Sequence, residues 1–340
     1  MKKSFILLFI YVYLFSSFRI LNEKSFIVPT GFPEPAYDFS KNILTTEKIE
    51  LGRALFYDPI LSRDNSISCS SCHSVYNSFA HTDHDLSHGI DDLIGTRNAP
   101  ALINLAWHKS FMWDGAVNHL EVQALAPITH PKEMDESMNH IVFKLSQSDL
   151  YTKLFMNAYN DTSITGEKIL KALTQFQLIF VSSSSRYDSM TQKQIKFTYQ
   201  EENGYNLFKK NCNTCHAEPL FSTYTFANNG LGLDTTLNDF GRMQITKERS
   251  DSLKFKIPTL RNIEYSPPYM HDGRFKSLFA VLNHYTSGIH QTTNLAPELK
   301  SPIILSENEK VDLIAFLLTL SDKKFIFNPD FSYPRELFAK

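Results

Sequence analysis

Apolar side chains recur at helical spacing in several separate stretches of the chain. In "LTTEKIELGRALFYDP", Leu51, Ala54 and Leu55 share one face, Thr45 or Thr46 supplies an N-cap, and Pro59 stops the pattern. In "ITGEKILKALTQFQLIF", the residues Ile169, Leu173, Phe176 and Phe180 repeat on a single face. "YQEENGYNLFKKNCNTCH" restates the order of the first stretch, a helix leading into C-x-x-C-H. "FKSLFAVLNHYTSG" predicts a short helix closed by Gly288. "SENEKVDLIAFLLTLSD" opens with Ser306 and Glu309 in capping-box spacing, and its dense apolar face predicts a packing helix. Alternation of the strand type is weak throughout.

The polar stretch "VSSSSRYDSMTQ" reads as a linker, which divides the chain into residues 25–190 and 191–340. Ahead of them, Lys2 and Lys3 precede an apolar run from Ser4 to Phe18. That run is short for a membrane span and suits a signal-peptide core, so residues 1–24 read as a signal peptide or an N-terminal anchor. Either one predicts export to the periplasm.

Composition narrows the class. The chain has 340 residues, 42% hydrophobic and 21% charged, the balance of a packed globular protein of about two domains. A net charge of -2 argues against nucleic acid as a partner. Its 27 Phe and 15 Tyr suit a large core or the walls around a flat apolar cofactor.

The four cysteines change the picture most. Cys69 and Cys72 stand in "CSSCH", Cys212 and Cys215 in "CNTCH". Zinc knuckles would be unusually far apart, and thioredoxin-type redox chemistry needs one such pair and no following histidine. With 12 His in 340 residues, a histidine after both pairs arises by chance roughly one time in a thousand. The motif is the attachment signature of c-type haem, with His73 and His216 as proximal ligands. A porphyrin replacing much of the core also accounts for the long loop at 79–135, which an ordinary bundle would not carry.

Several phrases then resemble one family, the bacterial di-haem cytochrome c peroxidases and the related MauG-type enzymes. They are "LGRALFYDPILS", "ISCSSCH", "GTRNAPALIN", "FMWDGAVNHLEVQALAPI", "KEM", "GYNLFKKNCNTCH", "IPTLRNIEYSPPYMHDGRF" and "LIAFLLTLS". The resemblance implies a mostly α fold of two cytochrome c-like helical domains, each wrapping one covalently bound haem c. The N-terminal haem would meet peroxide and the C-terminal haem would handle electrons. His88 falls where the peroxidases carry a displaceable distal histidine, with His81 and His84 as competing imidazoles. Glu133 falls at the acid/base position, Gln123 and Pro127 at neighbouring distal positions, and Trp113 between the haems. A carboxylate suits the chemistry: O–O cleavage needs a proton taken from one oxygen and delivered to the other. One Ca²⁺ is implied at Asn98, through its side chain, and at the carbonyls of Ser266 and Pro268.

One position departs from the peroxidases. Where they place a methionine ligand on the second haem, this chain has Tyr285, as the MauG-type enzymes do. A phenolate favours Fe(III) and lowers the potential, whereas a thioether raises it. Tyr285 also fits a core stripe with Leu278, Val281 and Leu282, and His284 is a rival ligand aimed at another face. The sequence thus points to a peroxidase reducing hydrogen peroxide, fed by a small exported donor such as a cytochrome c or a copper protein. The alternative is a MauG-like oxidase that uses peroxide or O2 to oxidise side chains of a protein substrate. A carrier with no chemistry of its own is disfavoured by Glu133. A homodimer is further implied by the family.

Overall fold

The computed structural model describes residues 21–339. The segment read as a signal peptide or anchor lies almost wholly outside them. Within them no helix is long and apolar enough to cross a membrane.

The fold is mostly helical, with one two-stranded sheet pairing Phe226–Ala227 with Phe255–Lys256. Helix α1 (Thr46–Tyr57) starts where the Thr45 hydroxyl accepts the Lys48 amide, and ends ahead of Pro59. Helix α2 (Gly166–Leu178) is capped in the same way by Thr165. Helices α3 (Tyr199–Asn211) and α5 (Glu307–Leu318) both open with capping boxes, Thr198 with Glu201 and Ser306 with Glu309. Between them α4 (Leu278–Asn283) runs into a π-helical turn, His284–Gly288.

These helices form two crossings of one design. At Gly52 a side chain would collide with the Ala172 carbonyl and crowd Phe176 of α2. At Gly204 it would collide with the Asp312 carbonyl and crowd Phe316 of α5. In both pairs the missing Cβ lets two helical backbones touch. A matching aromatic trio fills each crossing. Phe56 meets Phe79 and Phe176 at ring-centroid distances of 5.8 and 5.4 Å. Phe208 meets Phe221 and Phe316 at 5.4 and 5.0 Å. All six rings are fully buried.

The stretch read as a polar linker is an anchored part of the fold. Residues Arg186–Thr191 form a short helix whose Asp188 accepts both terminal nitrogens of buried Arg261, at 2.9 and 2.8 Å. Serines and an aspartate look like a linker in sequence because their buried partner lies far along the chain. The end of the chain behaves similarly. Phe325, Ile326 and Phe331 join the core built by α1 and α2.

Gly204→Ala should lower stability by about 1–3 kcal/mol through forced separation of α3 and α5. Thermal unfolding of the variant beside the parent protein measures it.

Candidate active site

Each C-x-x-C-H motif follows directly on a defined local structure. The cysteines Cys69–Cys72 form a single helical turn, and Cys212 closes α3. All four cysteines are unbridged. Burial raises the Cys69 and Cys212 thiols to about 12 and the Cys72 thiol to about 11.

The motif histidines are held in one orientation by backbone carbonyls. His73 Nδ1 donates to Phe79 O at 2.7 Å. His216 Nδ1 lies 3.3 Å from Phe221 O and 3.1 Å from Pro258 O. With Nδ1 engaged, Nε2 of each ring is the atom left for a metal. Burial lowers both imidazoles to about 4, so each is neutral at ordinary pH, the form that ligates iron.

A cavity of about 590 Å³ is lined by both motifs, through Cys72 and His73 on one side and Cys212, Cys215 and His216 on the other. Cys69 packs instead into the first core. Two thiols beside one neutral, oriented imidazole, repeated on either side of an apolar cavity, fit a thioether-anchored haem at each motif.

Most of the residues singled out in the sequence converge here. Glu133, Gln123, Pro127, Trp113, Tyr285, Asn98, Ser266 and Pro268 all line the cavity. Burial raises the Glu133 carboxyl, with His130 Nδ1 3.8 Å away pulling the other way. Its backbone is pinned: its amide donates to His130 O, and its carbonyl accepts the Ile90 amide at 2.7 Å. Trp113 Nε1 donates to Asn98 O at 2.8 Å, which fixes the indole plane. Asn98 spends its Nδ2 on Asp85 O at 3.0 Å.

Tyr285 stands in the π-helical turn. Its hydroxyl is pushed up to about 12 by burial, against an Asn229 side-chain hydrogen bond. Such turns are frequent at functional sites. His284 faces elsewhere, with Nε2 3.0 Å from Asn229 O.

His88 does not line the cavity. Its ring stacks on His84 at 4.0 Å, and Nδ1 lies 3.2 Å from Asp92 Oδ1. The backbone nevertheless passes beside the first motif, where Cys72 Sγ donates to His88 O.

Other cavity residues went unnoticed in the sequence: Arg97, His108, Tyr224 and Lys256. Arg97 bonds Asp114 at 2.7 Å and Asp239 at 2.6 Å, which ties the two halves together. The available signal was the repeated "WDG" and "HDG" turns, which place the flanking residues in register.

The sequence matches the family model described as "Di-haem cytochrome c peroxidase" over residues 46–196. It is 36% identical to the methylamine utilization protein MauG of Methylorubrum extorquens, over 86% of this chain and 82% of that protein. It is 33% identical to the cytochrome c551 peroxidase of Nitrosomonas europaea, over 84% and 82%. Its fold superposes with a TM-score of 0.81 on the crystal structure of a MauG-like protein associated with microbial copper homeostasis. That match covers 92% of this chain and 99% of the other, at 32% identity. Paired haem-anchoring motifs on a shared cavity, together with these relatives, lead to one conclusion: the chain belongs to the di-haem cytochrome c peroxidase and MauG family.

Proposed function

We propose that this protein uses hydrogen peroxide or O2 to withdraw electrons from side chains of a partner protein, in the manner of MauG. The observation that carries the reading is Tyr285, a shielded phenol on the same cavity as Cys212 and His216, where a peroxidase would present a thioether. Tyr285, if it held a haem anchored at Cys212 and Cys215 as a phenolate, would lower that haem's potential and make it a poor acceptor from a high-potential carrier.

Bound haem supplies the redox iron at which peroxide is reduced and a second iron that exchanges electrons with the outside. The chain supplies proton handling and geometry. Glu133, whose carboxyl holds its proton to higher pH than an ordinary carboxylate, takes a proton from one peroxide oxygen and returns one to the other. Reduction of peroxide to two waters consumes two electrons and two protons, and reduction of O2 to two waters consumes four of each; partner side chains give up these electrons, with protons, as they are oxidised. Gln123 lines the same wall, with Nε2 against Met112 Sδ. Trp113 sits on the cavity shared by both motifs and is the side chain for electron passage between them. Asn98 Oδ1 with the carbonyls of Ser266 and Pro268 makes an all-oxygen set suited to Ca²⁺. His88, placed off the cavity, would offer no imidazole to a haem held by His73 in this arrangement.

A second reading is a peroxidase that takes its electrons from a small exported donor. The likeness to the Nitrosomonas peroxidase over most of both chains favours it. Mixing the protein with peroxide and a reduced donor cytochrome separates the two. Fast donor oxidation would support the peroxidase, and slow turnover the MauG-like reading.

Glu133→Gln should reduce turnover with peroxide by about 10²–10⁴-fold while leaving the visible haem spectrum intact. Stopped-flow kinetics measures the loss. Tyr285→Met should raise the midpoint potential of one haem and alter the low-spin EPR signal of the ferric protein. An unchanged EPR signal in Tyr285→Phe would remove Tyr285 from the ligand set.

A further inference from the structure

The two halves repeat one another well beyond the C-x-x-C-H motifs. Asn104 and Asn262 are both left-handed, with φ of 54° and 57°, ahead of the single turns Leu105–Trp107 and Ile263–Tyr265. Met112 and Met270 follow with φ of 66° and 75°, then Gly115 and Gly273 with φ of 73° and 68°. Backbone bridges join Phe111 to Val117 in one loop and Tyr269 to Phe275 in the other. The exchange between the loops is reciprocal: the Asn98 amide donates to His271 O and the Lys256 amide to Trp113 O, each at 2.7 Å.

In this register Asn98 corresponds to Lys256, Ser266 to His108, and Pro268 to Ser110. The oxygens assigned to Ca²⁺ therefore have a counterpart across the cavity, and that counterpart carries its own cation. Lys256 Nζ donates to Ser110 O at 2.9 Å, the position equivalent to the Pro268 carbonyl. Among the described residues no carboxylate pairs with it. Asp114, whose charge favours the ammonium, is bonded to Arg97. Beside it the His108 and Tyr224 rings lie 3.9 Å apart. Both His108 ring nitrogens and the Tyr224 hydroxyl are shielded from solvent without a hydrogen-bond partner. All three side chains line the cavity.

An ammonium, a phenol and an imidazole N–H are all donors. Here the phenol and the imidazole have no acceptor and the ammonium has only the Ser110 carbonyl, and shielded donors left so are costly, so the cluster calls for an anion. The anion that the cofactors bring is the propionate carboxylate of a porphyrin edge. We propose that Lys256, His108 and Tyr224 form the receiving site for a haem propionate, the lysine ammonium taking in one copy of the repeat the place that a metal ion takes in the other. Burial lowers the Lys256 ammonium to about 8 even with the Asp114 charge nearby, and a carboxylate partner would offset that cost. The inference rests on the reading that two haems fill the cavity. A fixed positive charge beside one porphyrin favours its Fe(II) state and raises its potential relative to the same haem without it.

The test is a spectroelectrochemical titration with resonance Raman spectra of the holoprotein, Lys256→Met, Lys256→Arg and Tyr224→Phe. Lys256→Met should lower the midpoint potential of one haem, leave the other in place, and shift the propionate-bending band. Lys256→Arg should restore the potential toward that of the parent protein. Tyr224→Phe, which removes a single oxygen, should shift the band. If Lys256→Met does not accumulate as folded protein, Tyr224→Phe decides alone: a shifted band supports the site and an unmoved band overturns it. Unchanged potentials and bands in Lys256→Met and Tyr224→Phe, with both haems attached, overturn this inference and leave the functional reading standing. A parent protein without covalent haem would overturn both.

Discussion

In each half a single phenylalanine joins the hydrophobic core to the imidazole of a C-x-x-C-H motif. The rings of Phe79 and Phe221 each belong to one aromatic trio, while their carbonyls face His73 and His216. Both residues have positive φ, 56° and 52°, a conformation that bulky side chains adopt only when their surroundings compel it. Burial of the ring supplies that compulsion. The same carbonyls accept a second amide, from Leu102 and Leu260, which brings the next loop onto the cavity. Core packing, imidazole orientation and the loop carrying the site residues are therefore one coupled arrangement. Loosening the ring would release the histidine.

On this common frame the halves diverge where chemistry requires it. The first presents Glu133 and Gln123 to the cavity and keeps the His88 side chain off it. The second presents Tyr285 from a π-helical turn, whose extra residue per turn re-aims a side chain without moving the helix that carries it. The repeat sets two similar imidazole and thiol environments on one cavity, and the side chains around them differ at a few positions.

Much of this was legible in the sequence because the responsible signals are local. Thr45, Thr165 and the pairs Thr198/Glu201 and Ser306/Glu309 mark helix starts within a few residues, and the apolar faces of α1 and α2 repeat at 3.6. The C-x-x-C-H motifs state their chemistry outright, and family phrases located Glu133, Trp113 and Tyr285 on the cavity. What escaped depends on partners distant in the chain. Asp188 looks solvated until Arg261 is placed beside it, and Lys256 looks like any surface lysine until Ser110 and His108 enclose it.

Phe325, Ile326 and Phe331 complete a core whose other members begin before residue 60. Among the described residues, the second core draws on nothing beyond Leu320. Cutting the chain after that residue would therefore open the interior behind "CSSCH", near the other end of the sequence, and spare the one behind "CNTCH".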